Sequence, residues 1–188
     1  MFTKSELTNK LRSRDNWRVL KAVEELRVRG WLCDGSLRKI ALCQAELQGA
    51  DLMKADLAHA DFHQAHLEYA DLSMADLRCA KFTRANLHGA NLSHARLTGA
   101  DLYKANLRDA HNLTDDQLSQ TNRLWGATMP NGKPYDGRFN LSGDMAFAQW
   151  AKVDINDPKS MADFYGVPLE DYLGGQERAI ERVVVDSP

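Results

Sequence analysis

Histidine is the side chain that most often holds a metal or moves a proton near neutral pH. This chain has six: His59, His63, His66, His88, His94 and His111. His59, His63 and His66 are close in sequence, which raises a surface metal site. They would lie near two different corners and lack a cysteine or carboxylate completing a fixed tetrahedral set. The cysteines, Cys33, Cys43 and Cys79, are odd in number, far apart and without a CxxC pair. They suit neither a disulfide framework nor a zinc site, and read as small half-buried side chains. Carboxylates recur at Asp51, Asp56, Asp61, Asp71, Asp76 and Asp101. Paired carboxylates can act as general acid and base. Here they share one fivefold repeat with Asn86, Asn91 and Asn106, and a turn role accounts for the whole series. No Walker loop, GxGxxG, GxSxG or HExxH occurs. A ligand site in the C-terminal segment would draw on Asp144, Asp154, Asp157 and Tyr165, but nothing in their spacing demands one. The expectation is a chain with no catalytic residue, no cofactor and no metal, hence no enzyme.

What must position these residues is set by a period of five. Alanine occupies every fifth position from Ala45 to Ala110. Two residues after each of the first thirteen comes a large apolar residue: Leu47, Leu52, Leu57, Phe62, Leu67, Leu72, Leu77, Phe82, Leu87, Leu92, Leu97, Leu102 and Leu107, with Leu42 in register before them. Leu32 and Leu37 keep the phase while Gly30 and Gly35 replace the alanine, so the repeat fades there. On an α-helix, five residues advance a side chain by about 500°, so the leucines would spiral round every side. On a flat strand they would alternate faces. One continuous core results only if each unit is one side of a polygonal coil, turning a corner per unit with the large residue inward. Those thirteen residues are the predicted structural core.

The strings ADLMKADLAHADFHQA and ANLHGANLSHARLTGADLYKANL resemble the pentapeptide-repeat family, whose pattern is A(D/N)LXX, over about residues 36–110. The resemblance implies a mainly β solenoid: a right-handed, four-sided β-helix with one turn per twenty residues, here about 3.5–4 coils with helical caps. Phe62 and Phe82 lie twenty apart and would stack on one side. Regular coils spaced by roughly 4.8 Å give a stack only about 17 Å tall. The histidines then fall on outward or corner positions. One side presents three outward columns: Asp61, Lys81 and Asp101, alternating in sign; His63, Thr83 and Tyr103; and Gln64, Arg84 and Lys104. His63, Arg84, Tyr103 and Lys104 therefore form the predicted protein-contact face, with Tyr69, Met53 and Met74 as further exposed apolar candidates.

Solenoid ends expose unpaired backbone and need covers. Residues 1–30 read as an N-terminal helical cap, 31–110 as the repeat, and 111–188 as a C-terminal helical and loop cap with a tail. Asp15 is a plausible N-cap for a helix over 15–29, with Leu20, Val23 and Leu26 on one face and Gly30 ending it; a short helix near 4–12 precedes it. Thr114 with Gln117, and Leu113 with Leu118, mark a helix over about 115–124. TMPNGKPYDG reads as a loop. Helices are expected near 142–152, 158–165 and 168–173, with a loose tail after Gly174 and Gly175. GATMPNGKPYDG resembles tails that follow the repeats in other family members. The 78 C-terminal residues exceed a minimal cap, and are expected to dock back on the solenoid or to hold a partner site.

The chain has 188 residues, 44 % hydrophobic and 27 % charged, with a net charge of −2. Residues 1–40 carry +5, 41–110 carry −2 and 111–188 carry −5. That gradient would suit head-to-tail or cap-mediated pairing of copies. No apolar run is long enough for a membrane span and no secretory h-region is visible. Together with the unpaired cysteines this predicts a cytoplasmic protein. The leading expectation is a non-catalytic interaction scaffold for an unidentified protein partner. The alternative comes from the family resemblance: a DNA mimic that modulates DNA gyrase or a related topoisomerase. A mimic needs a long acidic rod, and Arg78, Lys81, Arg84 and Arg96 interrupt this one, so nucleic-acid targets are not expected.

Overall fold

A computed structural model describes residues 2–185, with side chains through residue 181. Its logic is visible in one unit, Asp71 to Ala75. The Asp71 N–H donates to Ala50 O of the preceding coil (2.9 Å), while Leu72 and Met74 donate to Asn91 O (2.9 Å) and Ser93 O (2.7 Å) of the next. Ala75 N–H closes a turn on Leu72 O (3.1 Å). The fifth donor, Ser73 N–H, is taken by the Asp71 carboxylate at 2.9 Å. Every backbone N–H of the unit is thus satisfied, as a buried backbone requires. The same side-chain bond recurs at Asp51, Asp61, Asp76, Asn86, Asn91, Asp101 and Asn106. Aspartate and asparagine share the position because both offer a short-armed acceptor.

Parallel bridges link residues twenty apart, from Ala41 with Asp61 to Asn91 with His111, at every fifth position. The result is a four-sided coil. Side one contains residues 41–45, 61–65, 81–85 and 101–105. Side two follows at 46–50 and its equivalents, side three at 51–55, and side four at 36–40 and 56–60. Every fifth residue from Lys39 to Asp109 has a positive φ, and among these only Gly49, Gly89 and Gly99 are glycine. The corner is therefore built by backbone in the left-handed region whatever side chain stands there. All thirteen predicted large apolar residues are at most 2 % exposed. Phe62 and Phe82 stack with centroids 4.9 Å apart and rings 5° from parallel.

Helices α1 (Lys4–Lys10) and α2 (Asn16–Val28) cover the first coil. Thr3 and Glu6 form a capping box on α1, and Asp15 caps α2. The buried face of α2 is Val19, Ala22, Val23 and Leu26, with Leu20 half-buried and packed against the same core. Arg27 donates to Asp51 O (2.8 Å) and fixes α2 to the coil.

The coil does not stop at Ala110. Residues 111–122 replace two sides with two extra residues and include α3 (Asp115–Ser119), after which bridges resume between Asp101 and Arg123 and between Asn106 and Thr128. Leu124 and Ala127 are buried in the same column as Leu102 and Ala105. Arg123-Leu124-Trp125-Gly126-Ala127 is thus a further side one, and the helix expected over 115–124 ends early because its last residues rejoin the coil. Residues 129–135 turn back through an antiparallel bridge between Thr128 and Pro134. Helices α4 (Ser142–Trp150), α5 (Pro158–Tyr165) and α6 (Leu169–Val185) complete the cap. The tail expected to be loose after Gly174 and Gly175 is instead helical to Val185; Gly175 lets the helix lie against Asp136, which a Cβ would meet at 3.0 Å. Residues 186–188 of that tail lie outside the described residues.

Candidate protein-contact surfaces

Sides differ in charge. Side one carries Lys81, Arg84, Lys104 and Arg123 against Asp61 and Asp101; side four carries Arg38, Lys39, Arg78 and Arg96 against Asp56 and Asp76. Side two carries Glu46, Glu68 and Asp109 against Arg108, and side three Asp51 and Asp71 against Lys54. Two adjacent sides are therefore net basic and the other two net acidic. The expected alternation along Asp61, Lys81 and Asp101 yields no ion pair at Lys81 among the described residues. Asp101 pairs with Arg123 of the resumed coil instead, through Nη2 at 2.5 Å and Nε at 3.1 Å.

The predicted face on side one is split. His63 is half-buried and Arg84 is exposed. Tyr103 is half-buried because Trp125, one coil on, stacks on it at 5.4 Å, while Arg123 covers it at 4.5 Å. Lys104 lies 5.0 Å from the Trp125 ring. Phe147 of α4 meets both rings edge-on, and Phe164 of α5 meets Trp125 and Phe147 at 5.7 Å. The chain's own cap therefore occupies the end of this face that holds Tyr103 and Lys104. His63 and Arg84 remain outside the aromatic cluster.

Asp144 makes that docking fit. On side one, Asp61 and Asp101 supply their own acceptor at the first position, but the resumed unit has Arg123 there, and among the described residues no further coil follows to receive Leu124 N–H. The fully buried Asp144 carboxylate accepts from Leu124 N at 3.2 Å and Trp125 N at 3.0 Å, replacing both partners. Burial pushes its carboxyl up to about 6, against the lowering by those two donors and by Arg123. Gln117 of α3 does the converse, donating to the Ala95 carbonyl (2.9 Å) and to the Leu92 carbonyl (2.8 Å), which also accepts Ala95 N–H. Neither role was legible beforehand, since both depend on the coil resuming at Arg123.

Tyr69 stands at the corner between the two acidic sides and is 66 % exposed. Its ring packs against Gly89, where a Cβ would fall 2.6 Å from two ring carbons, and the His88 ring lies 5.2 Å away at 74° to it. Gly49 occupies the same corner one coil before. The ring is thus held by Gly89 and His88 while most of it stays open to solvent. Met74, at the next corner, is also exposed.

Other candidates separate. Among the described residues, no three His, Cys, Asp or Glu side chains gather to hold a metal. Asp154 accepts from Asn156 N, and Asp157 caps α5. Tyr165 is buried beside Gly137 and Tyr172. The structure therefore gives Asp144, Asp154, Asp157 and Tyr165 separate structural duties. A small cleft lined by Asp136, Arg138 and Arg178 is internally paired, at 2.9 Å and 3.0 Å. A wider cleft opens between α1 and α2, lined by Phe2, Leu7, Lys10, Trp17 and Ala22. No helix among the described residues is long and apolar enough to cross a membrane.

The comparisons with known proteins concern the repeat. The model of pentapeptide repeats matches residues 36–73, 45–83 and 75–111, with eight copies. HetL, a pentapeptide repeat protein involved in heterocyst differentiation regulation in the cyanobacterium Nostoc sp., is 36 % identical. The match covers 52 % of this chain and 48 % of HetL, with a TM-score of 0.27, so the chain spans about half the length of that protein. A pentapeptide repeat protein of the Arabidopsis thaliana thylakoid lumen is 29 % identical over 43 % of this chain and 70 % of its own, with a TM-score of 0.21. No curated protein matches the chain.

Proposed function

This chain is a pentapeptide-repeat protein over residues 36–111, and from that premise we propose that it is a non-catalytic scaffold whose corner at Tyr69 binds a basic segment of a partner protein. The observation that carries this reading is the Tyr69 ring, backed by Gly89 and open to solvent. A tyrosine face attracts arginine and lysine, and the flanking sides carry Glu46, Glu68, Asp51 and Asp71. A side chain already held in place loses little freedom on binding. His63 and Arg84, on the basic side, are a second and separate contact. We take the coil as right-handed, as the family resemblance implies, and the protein as cytoplasmic, which its three exposed free cysteines suit. The divided charge does not favour DNA mimicry, which wants an unbroken acidic surface.

The test is affinity capture from the native cell, followed by titration of the captured partner against wild type and Tyr69→Ala. A hot-spot loss of about 2 kcal/mol, some thirtyfold in Kd, is expected, together with weaker binding as salt rises. Equal affinity for both proteins would refute the Tyr69 corner as the contact.

A further inference from the structure

Two apolar surfaces are left uncovered at opposite ends of the column, and they match. Helix α6 exposes Leu169, Leu173 and Ile180, the last by 63 %. At about 100° per residue these three fall within some 40° of one another, forming one stripe. Glu170, Glu177 and Glu181 run along one flank of the stripe; all three are exposed and, among the described residues, none joins an ion pair. The opposite flank of α6 holds the helix down: Tyr172 is buried, Gly175 lies on Asp136, and Arg178 pairs with Asp136 at 3.0 Å. The stripe therefore faces away from its own chain.

At the other end, the α1–α2 cleft has a floor of Leu7 and Ala22 between Phe2 and Trp17, and Trp17 is 69 % exposed. Its rim carries Lys10, Arg18 and Lys21, against one acidic residue, Glu25, which is already paired with Arg29. Arg18 and Lys21 are held only by exposed pairs with Asp15 (3.2 Å) and Glu24 (2.9 Å), which are weak and readily exchanged. A basic-rimmed apolar cleft thus answers an acid-flanked apolar stripe. The net charges of +5 over residues 1–40 and −5 over 111–188 have the same sense. Because α2 covers the first coil and α4–α6 the last, the stripe of one copy cannot reach its own cleft. We infer that α6 of one copy docks in the α1–α2 cleft of the next, joining copies head to tail. Such a contact is heterologous and extends as an open chain. It uses neither Tyr69 nor side one, so it and the scaffold reading can fail separately.

The experiment is sedimentation equilibrium of the full chain across concentration, with Trp17→Arg and Leu173→Arg, each checked by circular dichroism for an unchanged fold. Wild type is expected to grow past the dimer as concentration rises, and each variant alone to remain monomeric. Mixed in equal amounts, the two variants retain one good cleft and one good stripe between them, and are expected to form a dimer and nothing larger. A concentration-independent wild-type monomer would overturn the proposal. So would a variant that associates like wild type, or a mixture that stays monomeric; the first of these marks a symmetric contact through one end only.

Discussion

At the scale of single residues, the consequential side chain is Asp144, which replaces an acceptor the repeat omits. Removing it as Asp144→Ala leaves two buried N–H groups unpaired, for which a loss of about 2 kcal/mol is expected at pH 7. Its pH dependence has a definite sign. Burial raises the folded carboxyl to about 6, above the roughly 3.9 of an unfolded aspartate. The folded state therefore binds this proton more tightly. Its contribution is complete below the unfolded value and fades as pH rises through about 6. The stability gap between wild type and Asp144→Ala should widen by about 1 kcal/mol from pH 7 to pH 5. Urea unfolding of both proteins at the two pH values measures it, and a gap that narrowed on acidification would show the carboxylate to be better solvated than its burial indicates.

At the scale of the element, the coil is a sum of contacts between neighbouring units. Phe62 and Phe82 are the one aromatic step in a column of leucine-size side chains, stacked at 4.9 Å. Truncating either to leucine removes the ring pair while keeping an apolar filler. The double-mutant cycle should therefore show a coupling of about 0.5–1.5 kcal/mol, read from denaturant midpoints of the four proteins. Coupling near zero would mean that each ring is held by its leucine neighbours alone. The repeat was legible because its alanine and leucine positions recur without a break, and the aspartate series because a short acceptor is needed once per unit. The resumed unit at Arg123–Ala127 was not legible. Its first position is arginine, and the two extra residues before it shift the phase, so it looks like the end of a helix. The helical continuation through Gly174 and Gly175 was hidden for a related reason. Glycine weakens a helix by its conformational freedom, and the docking of Gly175 on Asp136, with Arg178 paired to the same carboxylate, compensates for that here.

At the scale of the whole molecule, stability should be greatest where coils have neighbours on both sides. Amides of Asp71, Leu72 and Met74 donate between interior coils and should exchange only on global opening, whereas α1 and α6 open locally. Native-state hydrogen exchange is expected to show protection about a hundredfold or more higher in the interior coils than in these helices. Protection centred on the caps would mean that they, rather than the column, are the most stable part of the molecule. The contact face illustrates how far a whole-molecule view departs from a column-by-column one. Spacing alone puts Tyr103 on an open side, but the segment that shields it lies twenty residues and more downstream. Tyr69 escapes this because no later segment among the described residues returns to its corner.

The left-handed corners have a wider consequence. Since lysine, glutamine, histidine, methionine, cysteine and arginine all occupy the same backbone shape there, the shape of the shaft is indifferent to what is written on its four vertical edges. Recognition can thus be rewritten, one letter per edge and storey, without redrafting the architecture beneath. A Tyr69 transplanted to the Gly89 or Gly49 corner would read as the same word one floor up or down.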